Sequence, residues 1–207
     1  MNVLIGCEES GIAREEFRKR GHNAWSCDLK PTRIPGQHWK CDIKELIEGL
    51  LEERSHFDLV ILHPDCTALA LSGNRWYGKG KPRHQERLDA IEWTIDLWNM
   101  AKKLSDKVVL ENPASVIFPY LREIGAVVQF IQPWQFGHGE TKKTGLALHG
   151  VNPLVPTHIV DGREHRIWKM APSEHRKRDR AETFQGIAEA FATQWTNQQG
   201  EIENANS

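Results

Sequence analysis

Phe57-Asp58-Leu59-Val60-Ile61-Leu62-His63-Pro64-Asp65-Cys66 is the stretch on which the fold turns. Its apolar residues run on without polar alternation, which predicts a strand buried on both faces. Val3-Leu4-Ile5-Gly6 and Val108-Val109-Leu110 are runs of the same kind. Ala24 to Cys27, Gln37 to Cys41, Val127 to Ile131 and Gly145 to Leu148 predict further strands. Amphipathic stretches lie between them. Ile12, Ala13, Glu16, Phe17 and Arg20 predict a helix that stops at Gly21, and Lys44 to Glu53 predicts a second. Gln85 to Leu104 carries Leu88, Ile91, Ile95, Leu97, Trp98 and Ala101 along a long helix. Ile187 to Trp195 predicts a terminal helix. Strand–helix alternation with continuous apolar runs means an α/β fold, doubly wound around a mainly parallel sheet.

A length of 207 residues suits one domain, expected over residues 1–197, with a polar, frayed tail at 198–207. Lys and Arg number 27 against 28 Asp and Glu, a net charge of −1, which excludes a chain held to nucleic acid by bulk charge. Any such contact must come from local basic patches. No apolar run approaches the roughly 20 residues of a membrane span. Met1-Asn2-Val3-Leu4-Ile5-Gly6 has no basic stretch before its apolar one, so a signal peptide is not expected. Cys7, Cys27, Cys41 and Cys66 are widely spaced and form no Cys-x-x-Cys pair. They are expected as free thiols in a reducing cytoplasm, with no zinc site.

In parallel sheets ligands sit outside the carboxyl ends of the strands. The residues found there are Gly6-Cys7-Glu8-Glu9-Ser10-Gly11, then Asp28, Asp42, His63-Pro64-Asp65-Cys66 and Glu111-Asn112-Pro113. The first turn brings a ligand close to backbone and to a helix N-terminus, which favours an anion. The acids after the second and third strands suit ribose hydroxyls and a base. The turn has neither a Lys-Ser/Thr phosphate loop nor Gly-x-Gly-x-x-Gly, so a carboxylate is the better anion. S-adenosylmethionine combines adenine, ribose and an amino-acid carboxylate. The competing reading is a plain tight turn with solvated acids.

Cys66 stands just past a strand end, where a lowered pKa would make it a nucleophile. Glu111 ends the next buried strand, so a thiolate and a carboxylic acid would face one cleft and suit covalent attack on a ring. The structural alternatives are a small buried thiol and a solvated acid. Gly73 to His84 is glycine-rich, basic and aromatic, which describes a mobile loop that meets phosphates and stacks on bases through Arg75, Lys79, Lys81 and Arg83. A second basic stretch runs from Arg163 to Arg180 and includes Arg176 and Arg178. Its alternative is a solvated surface.

The order of these elements resembles the cytosine-5 DNA methyltransferases, in particular their short phage-encoded members. Leu4 to Gly11 is similar to the glycine turn of the family's first motif. Asp28 stands for its ribose-binding acid and Asp42 for the acid that meets the adenine amino group. Pro64-Asp65-Cys66 resembles Pro-Pro-Cys, and Glu111-Asn112-Pro113 resembles Glu-Asn-Val. Phe136 to Lys143 lies where the family has Tyr-Gly-x-Pro-Gln-x-Arg-x-Arg, with Lys142 in place of the first arginine and Lys143 beside it expected to meet nucleic acid. Phe184-Gln185-Gly186-Ile187-Ala188 resembles the terminal motif that returns to the cofactor pocket.

The resemblance implies a seven-stranded Rossmann-like methyltransferase sheet. It implies S-adenosylmethionine bound by Gly6, Cys7, Glu8, Ser10, Gly11, Asp28, Asp42, Pro64 and Gly186. It also implies DNA as partner and a methyl group placed on carbon 5 of cytosine through a covalent Cys66 adduct. Glu111 would protonate ring nitrogen 3, and Asn112 and Lys142 would hold the base. Three departures have consequences. Asp65 puts a negative charge beside the thiol, which raises its pKa. Lys142 lacks the bidentate geometry of arginine. Residues 149–176 leave too little room for a separate target-recognition domain, which implies low specificity or a short site. Two other functions share these features: a binding protein inactivated by Asp65, and an enzyme acting on free cytosine nucleotides.

Overall fold

The computed structural model describes residues 1–166, 170 and 182–196. The chain begins with strand β1 (Asn2–Gly6), helix α1 (Ile12–Lys19), β2 (Asn23–Asp28) and β3 (His38–Lys40). Helix α2 (Ile43–Glu52) leads to β4 (Leu59–Leu62), whose four side chains are all buried, as the apolar run requires. Then come a short α3 (Asn74–Tyr77), the long α4 (His84–Leu104) and β5 (Val108–Pro113). Helix α5 (Ile117–Glu123), β6 (Val127–Ile131), β7 (Thr144–His149) and α6 (Gln185–Gln194) complete the described elements.

The seven strands form one sheet in the order β3-β2-β1-β4-β5-β7-β6. The pairings β1–β2, β2–β3, β1–β4 and β4–β5 are parallel, and β7 runs antiparallel to both β5 and β6. The sheet is therefore α/β and mainly parallel, as expected. Chain direction across the sheet reverses between β1 and β4, which opens a crevice at their carboxyl ends.

Alternate residues of each strand feed two separate cores. On β1, Leu4 joins the core under α2, α4 and α5, while Val3 and Ile5 join the core under α1 and α6. Ile43 and Ile47, one helical turn apart, bury α2 on the first side. Ala13 and Phe17 do the same for α1 on the second. Asp42 starts α2 as its N-cap, with Oδ1 accepting from the backbone N–H groups of Lys44 at 2.8 Å and Glu45 at 3.4 Å. Gly21, with φ of 79°, lies past the end of α1 where an L side chain would be strained. Among the described residues no helix is long and apolar enough to cross a membrane.

Two elements differ from the sequence expectation. Helix α5 is not predicted, because Pro119 interrupts its pattern; proline is tolerated there since the first turn has no intrahelical partner for its N–H. The basic segment after Ser72 is not wholly a loop. It contains a 3-10 turn at Leu71–Gly73 and then α3. Buried Arg87 of α4 anchors this part, donating to Ala68 O at 2.7 Å, Asn74 Oδ1 at 2.7 Å and Ala70 O at 3.2 Å. The polar tail expected at 198–207 lies outside the described residues.

Phe17 is fully buried between α1, the sheet and α6. Phe17→Ala is expected to cost about 3–5 kcal/mol of folding stability. Urea denaturation checks this, and a loss below about 1 kcal/mol would contradict the placement of this core.

Candidate active site

A cavity of about 670 Å³ occupies the crevice at the carboxyl ends of β1, β2 and β4. Cys7, Glu8 and Ser10 line it from the first turn, with Asp28 from β2 and Asp42 from the cap of α2. His63 and Asp65 line it from the turn after β4, and Trp93 from α4. The size lies within the range of roughly 300–1,000 Å³ usual for small-molecule and cofactor sites.

The first turn is tightly built. Cys7 and Gly11 have φ of 59° and 80°. A Cβ on Gly6 would meet Ile43 and Leu62 at under 3 Å. Glu8 folds back over α1, and its Oε1 accepts from Ser10 Oγ and from the Ala13 N–H, both at 2.9 Å. Ser10 Oγ in turn accepts from the Ile12 N–H at 3.1 Å. The chain's own carboxylate therefore takes the helix N-terminus that the sequence assigns to a ligand anion. Glu8 Oε2 remains buried without a partner among the described residues. An orphan carboxylate oxygen of this kind calls for a donor.

Charge points the same way. Seven carboxylates face the cavity, from Glu8, Glu9, Asp28, Asp42, Asp65, Asp89 and Glu182, against the two cations Lys30 and Arg33. Both cations are already paired, Lys30 with Glu9 at 3.1 Å and Arg33 with Glu182 at 2.7 Å. The cavity thus favours a ligand that is cationic or rich in donors. Burial, reinforced by Asp28, Asp42 and Asp65, raises the Cys7 thiol and keeps it neutral. All four cysteines are free thiols. Buried Arg14 holds the loop that supplies Lys30 and Arg33, donating to Ser26 Oγ at 2.9 Å, Thr32 Oγ1 at 3.2 Å and Ile34 O. Arginine on an amphipathic helix reads as a solvated residue, so sequence reasoning misses it.

Beside the cavity, the ends of β4 and β5 are laced together twice. Asn112 Nδ2 donates to Pro64 O at 3.0 Å, and His63 Nδ1 donates to Glu111 Oε2 at 3.0 Å. Cys66 comes directly after this lacing. Asp65 fastens its turn, with Oδ1 accepting from the Thr67 N–H at 2.9 Å and from Thr67 Oγ1 at 2.6 Å. The carboxylate thus restrains this turn by hydrogen bonds where a second proline would do so covalently.

Burial pushes the Cys66 thiol up, Asp65 and Glu111 push it further, and Lys142 opposes them. Burial also works to raise Glu111, but the hydrogen bond from His63 and the charges of Lys142 and His63 outweigh it and hold the carboxyl below its usual range. Lys142 is itself buried and donates to Glu182 O at 3.0 Å.

Of the residues expected to bind cofactor, Gly6, Gly11, Pro64 and Gly186 do not line the cavity. Gly186 is closely packed. Its N–H donates to His138 Nε2 at 2.9 Å, and a Cβ there would lie 1.9 Å from Phe136 O. Glu182 and Thr183, just before it, reach the cavity wall.

Among the residues expected to meet nucleic acid, Arg75, Lys79, Lys81, Arg83 and Lys143 are exposed. Arg75 lies over exposed Trp76, 5.1 Å from the ring centroid, and Lys143 lies 4.5 Å from the Phe130 centroid. Arg83 spends its guanidinium on both oxygens of Glu86, each at 2.7 Å. Arg176 and Arg178 lie outside the described residues.

No protein-family model and no curated protein matches the chain. Solved structures do. A protein described as a DNA modification methyltransferase encoded within an E. coli prophage superposes with a TM-score of 0.52 at 11% identity, over 77% of this chain and 52% of that one. DNMT2 of Spodoptera frugiperda gives 0.44 at 15% identity, over 80% and 54%. The bifunctional kinase-methyltransferase WbdD gives 0.47 at 16%, over 75% and 36%. The chain thus spans about half the length of the prophage protein. That likeness extends to the fold, a Rossmann-like, mainly parallel seven-stranded sheet.

Asp65 raises the Cys66 thiol, so Asp65→Asn, which keeps an acceptor for Thr67, lowers it. Iodoacetamide labelling of Cys66 at pH 7.5, followed by peptide mapping, is expected to run roughly two- to tenfold faster in that variant. An unchanged rate would remove Asp65 from the electrostatics of the thiol.

Proposed function

We propose that the chain is an S-adenosylmethionine-dependent DNA methyltransferase that modifies carbon 5 of cytosine through a covalent Cys66 adduct. One observation carries this reading: hydrogen bonds from His63 to Glu111 and from Asn112 to Pro64 lace the β4 and β5 segments together beside Cys66, next to an acid-lined cavity of cofactor size.

The cavity suits the cofactor. Asp28 and Asp42 would hold the nucleoside, and the orphaned Glu8 oxygen would take the ammonium of the amino-acid end. Glu8 itself occupies the helix N-terminus, so this turn recognises the cation of the zwitterion where the sequence suggests its carboxylate. When bound, S-adenosylmethionine supplies an electrophilic methyl group on a positively charged sulfur.

The chain's own residues arrange one proton. At rest it sits on the Cys66 sulfur, whose pKa is raised, and not on Glu111, whose pKa is lowered. Sulfur bonds to ring carbon 6 as its proton passes to Glu111, and Glu111 hands that proton to ring nitrogen 3. Electron density then collects on carbon 5, which on its own is a poor nucleophile. Lys142 offsets the negative charge that moves between the thiol and the carboxylate. Once carbon 5 has taken the methyl group its proton passes to solvent, the carbon 6–sulfur bond breaks, and the proton on ring nitrogen 3 returns through Glu111 to the departing sulfur, which restores the ring. Arg75, Lys79, Lys81 and Lys143 would meet phosphates, with Trp76 as a stacking surface for an unpaired base.

Transfer of labelled methyl from S-adenosylmethionine to duplex DNA, single-stranded DNA and dCMP tests the reading. DNA is expected to be labelled. Label confined to dCMP would make this an enzyme of free nucleotides, and no label on any acceptor would leave a binding protein. Cys66→Ser is expected to abolish transfer while cofactor affinity, read by calorimetry, stays within about twofold. Methylation that survives in the variant would remove the covalent mechanism.

A further inference from the structure

His63 has no place in the chemistry described so far, yet it touches both halves of the site. It stands directly after β4, its side chain is nine-tenths buried, and it lines the cavity. Nδ1 holds Glu111 Oε2 at 3.0 Å, and Nε2 is buried without a partner among the described residues. An imidazole that spends one nitrogen on a buried carboxylate 48 residues away and leaves the other unsatisfied is costly for stability alone.

We infer that His63 is a positioning residue of the reaction, fixing the Glu111 carboxylate in the orientation and ionised state from which it accepts the Cys66 proton. The inference rests on the proposed function for its chemical meaning. The contact between His63 and Glu111 stands without it.

The fold makes this contact specific. In the parallel β4–β5 register Leu62 pairs with Leu110, so the next residue on each strand, His63 and Glu111, stand side by side. Two groups offset burial at Glu111, His63 from the β4 end and Lys142 from the segment before β7, while Glu111 in turn raises the Cys66 thiol in the turn after β4. The acids that share the cavity wall with His63 include Glu8, Asp28, Asp42 and Asp65.

These contacts fix the sign of the effect. Burial alone would raise Glu111 above the usual carboxylate range, and His63 is the first of the groups that reverse this. Without His63, Glu111 keeps its proton to higher pH. A protonated Glu111 has no room for the proton of Cys66, so the acid limb of the rate profile should move to higher pH.

Two variants and two readouts test this. His63→Leu removes donor and charge; His63→Gln keeps an N–H donor without the charge. Titration of the Glu111 carboxyl by carbon-13 NMR is expected to move upward in His63→Leu and less in His63→Gln. In methyl transfer, His63→Leu should lower kcat roughly 100-fold and shift the acid limb upward, with part of each effect rescued in His63→Gln. If His63→Leu does not fold, His63→Gln decides by its own smaller shift. An unmoved Glu111 titration, or an unmoved acid limb at full kcat, would overturn the inference. If the wild-type protein transfers no methyl group, the proposed function fails on its own, and the carboxyl titration alone decides whether His63 governs Glu111.

Discussion

Parallel pairing of β4 with β5 brings Cys66 and Glu111 into one neighbourhood. The residues pair as Val60 with Val108, Ile61 with Val109 and Leu62 with Leu110, so the chain leaves β4 beside the point where β5 continues into Glu111. The polar residues just past each paired run are then set side by side without further cost. Asn112 to Pro64 and Glu111 to His63 close that edge. A slip of one residue would turn Glu111 to the opposite core and leave its carboxylate among α2, α4 and α5. The apolar residues of the two strands thus set the register, and the register sets the chemistry.

The cavity is acidic, and its own helix N-terminus is already satisfied by Glu8. Beside it, burial and Asp65 push the Cys66 thiol up, while His63 and Lys142 hold the Glu111 carboxyl low. Lys142 and Glu182 connect this edge to the cavity wall. The ammonium donates to the Glu182 backbone, and the Glu182 side chain meets Arg33 across the cavity wall. A buried cation anchored in this way stabilises charge that develops beside it without reorganising.

Much of this is legible in the sequence. Continuous apolar runs mark β1, β4 and β5, and the acids at strand ends mark the cavity, since periodicity and strand polarity are local properties. The features that stay hidden depend on partners distant in the chain. Nothing near Arg14 shows that it will be buried beneath the loop at 32–37. Nothing near His63 shows that β5 will bring Glu111 to it. Nothing near Gly186 shows that Phe136 will lie against it and leave no space for a Cβ. Helix α5 escapes because Pro119 obscures the pattern, although its first-turn position is harmless.

The central claim is that Cys66 bonds to carbon 6 of a cytosine ring held by Glu111. DNA containing 5-fluorocytosine tests it directly, because fluorine at carbon 5 cannot leave as a proton and the sulfur–carbon bond then persists. Incubation with S-adenosylmethionine, followed by denaturing electrophoresis and mass spectrometry, should give a stable protein–DNA adduct mapped to Cys66. Methylation of unmodified cytosine DNA without any trapped adduct on the fluorinated strand would contradict the account.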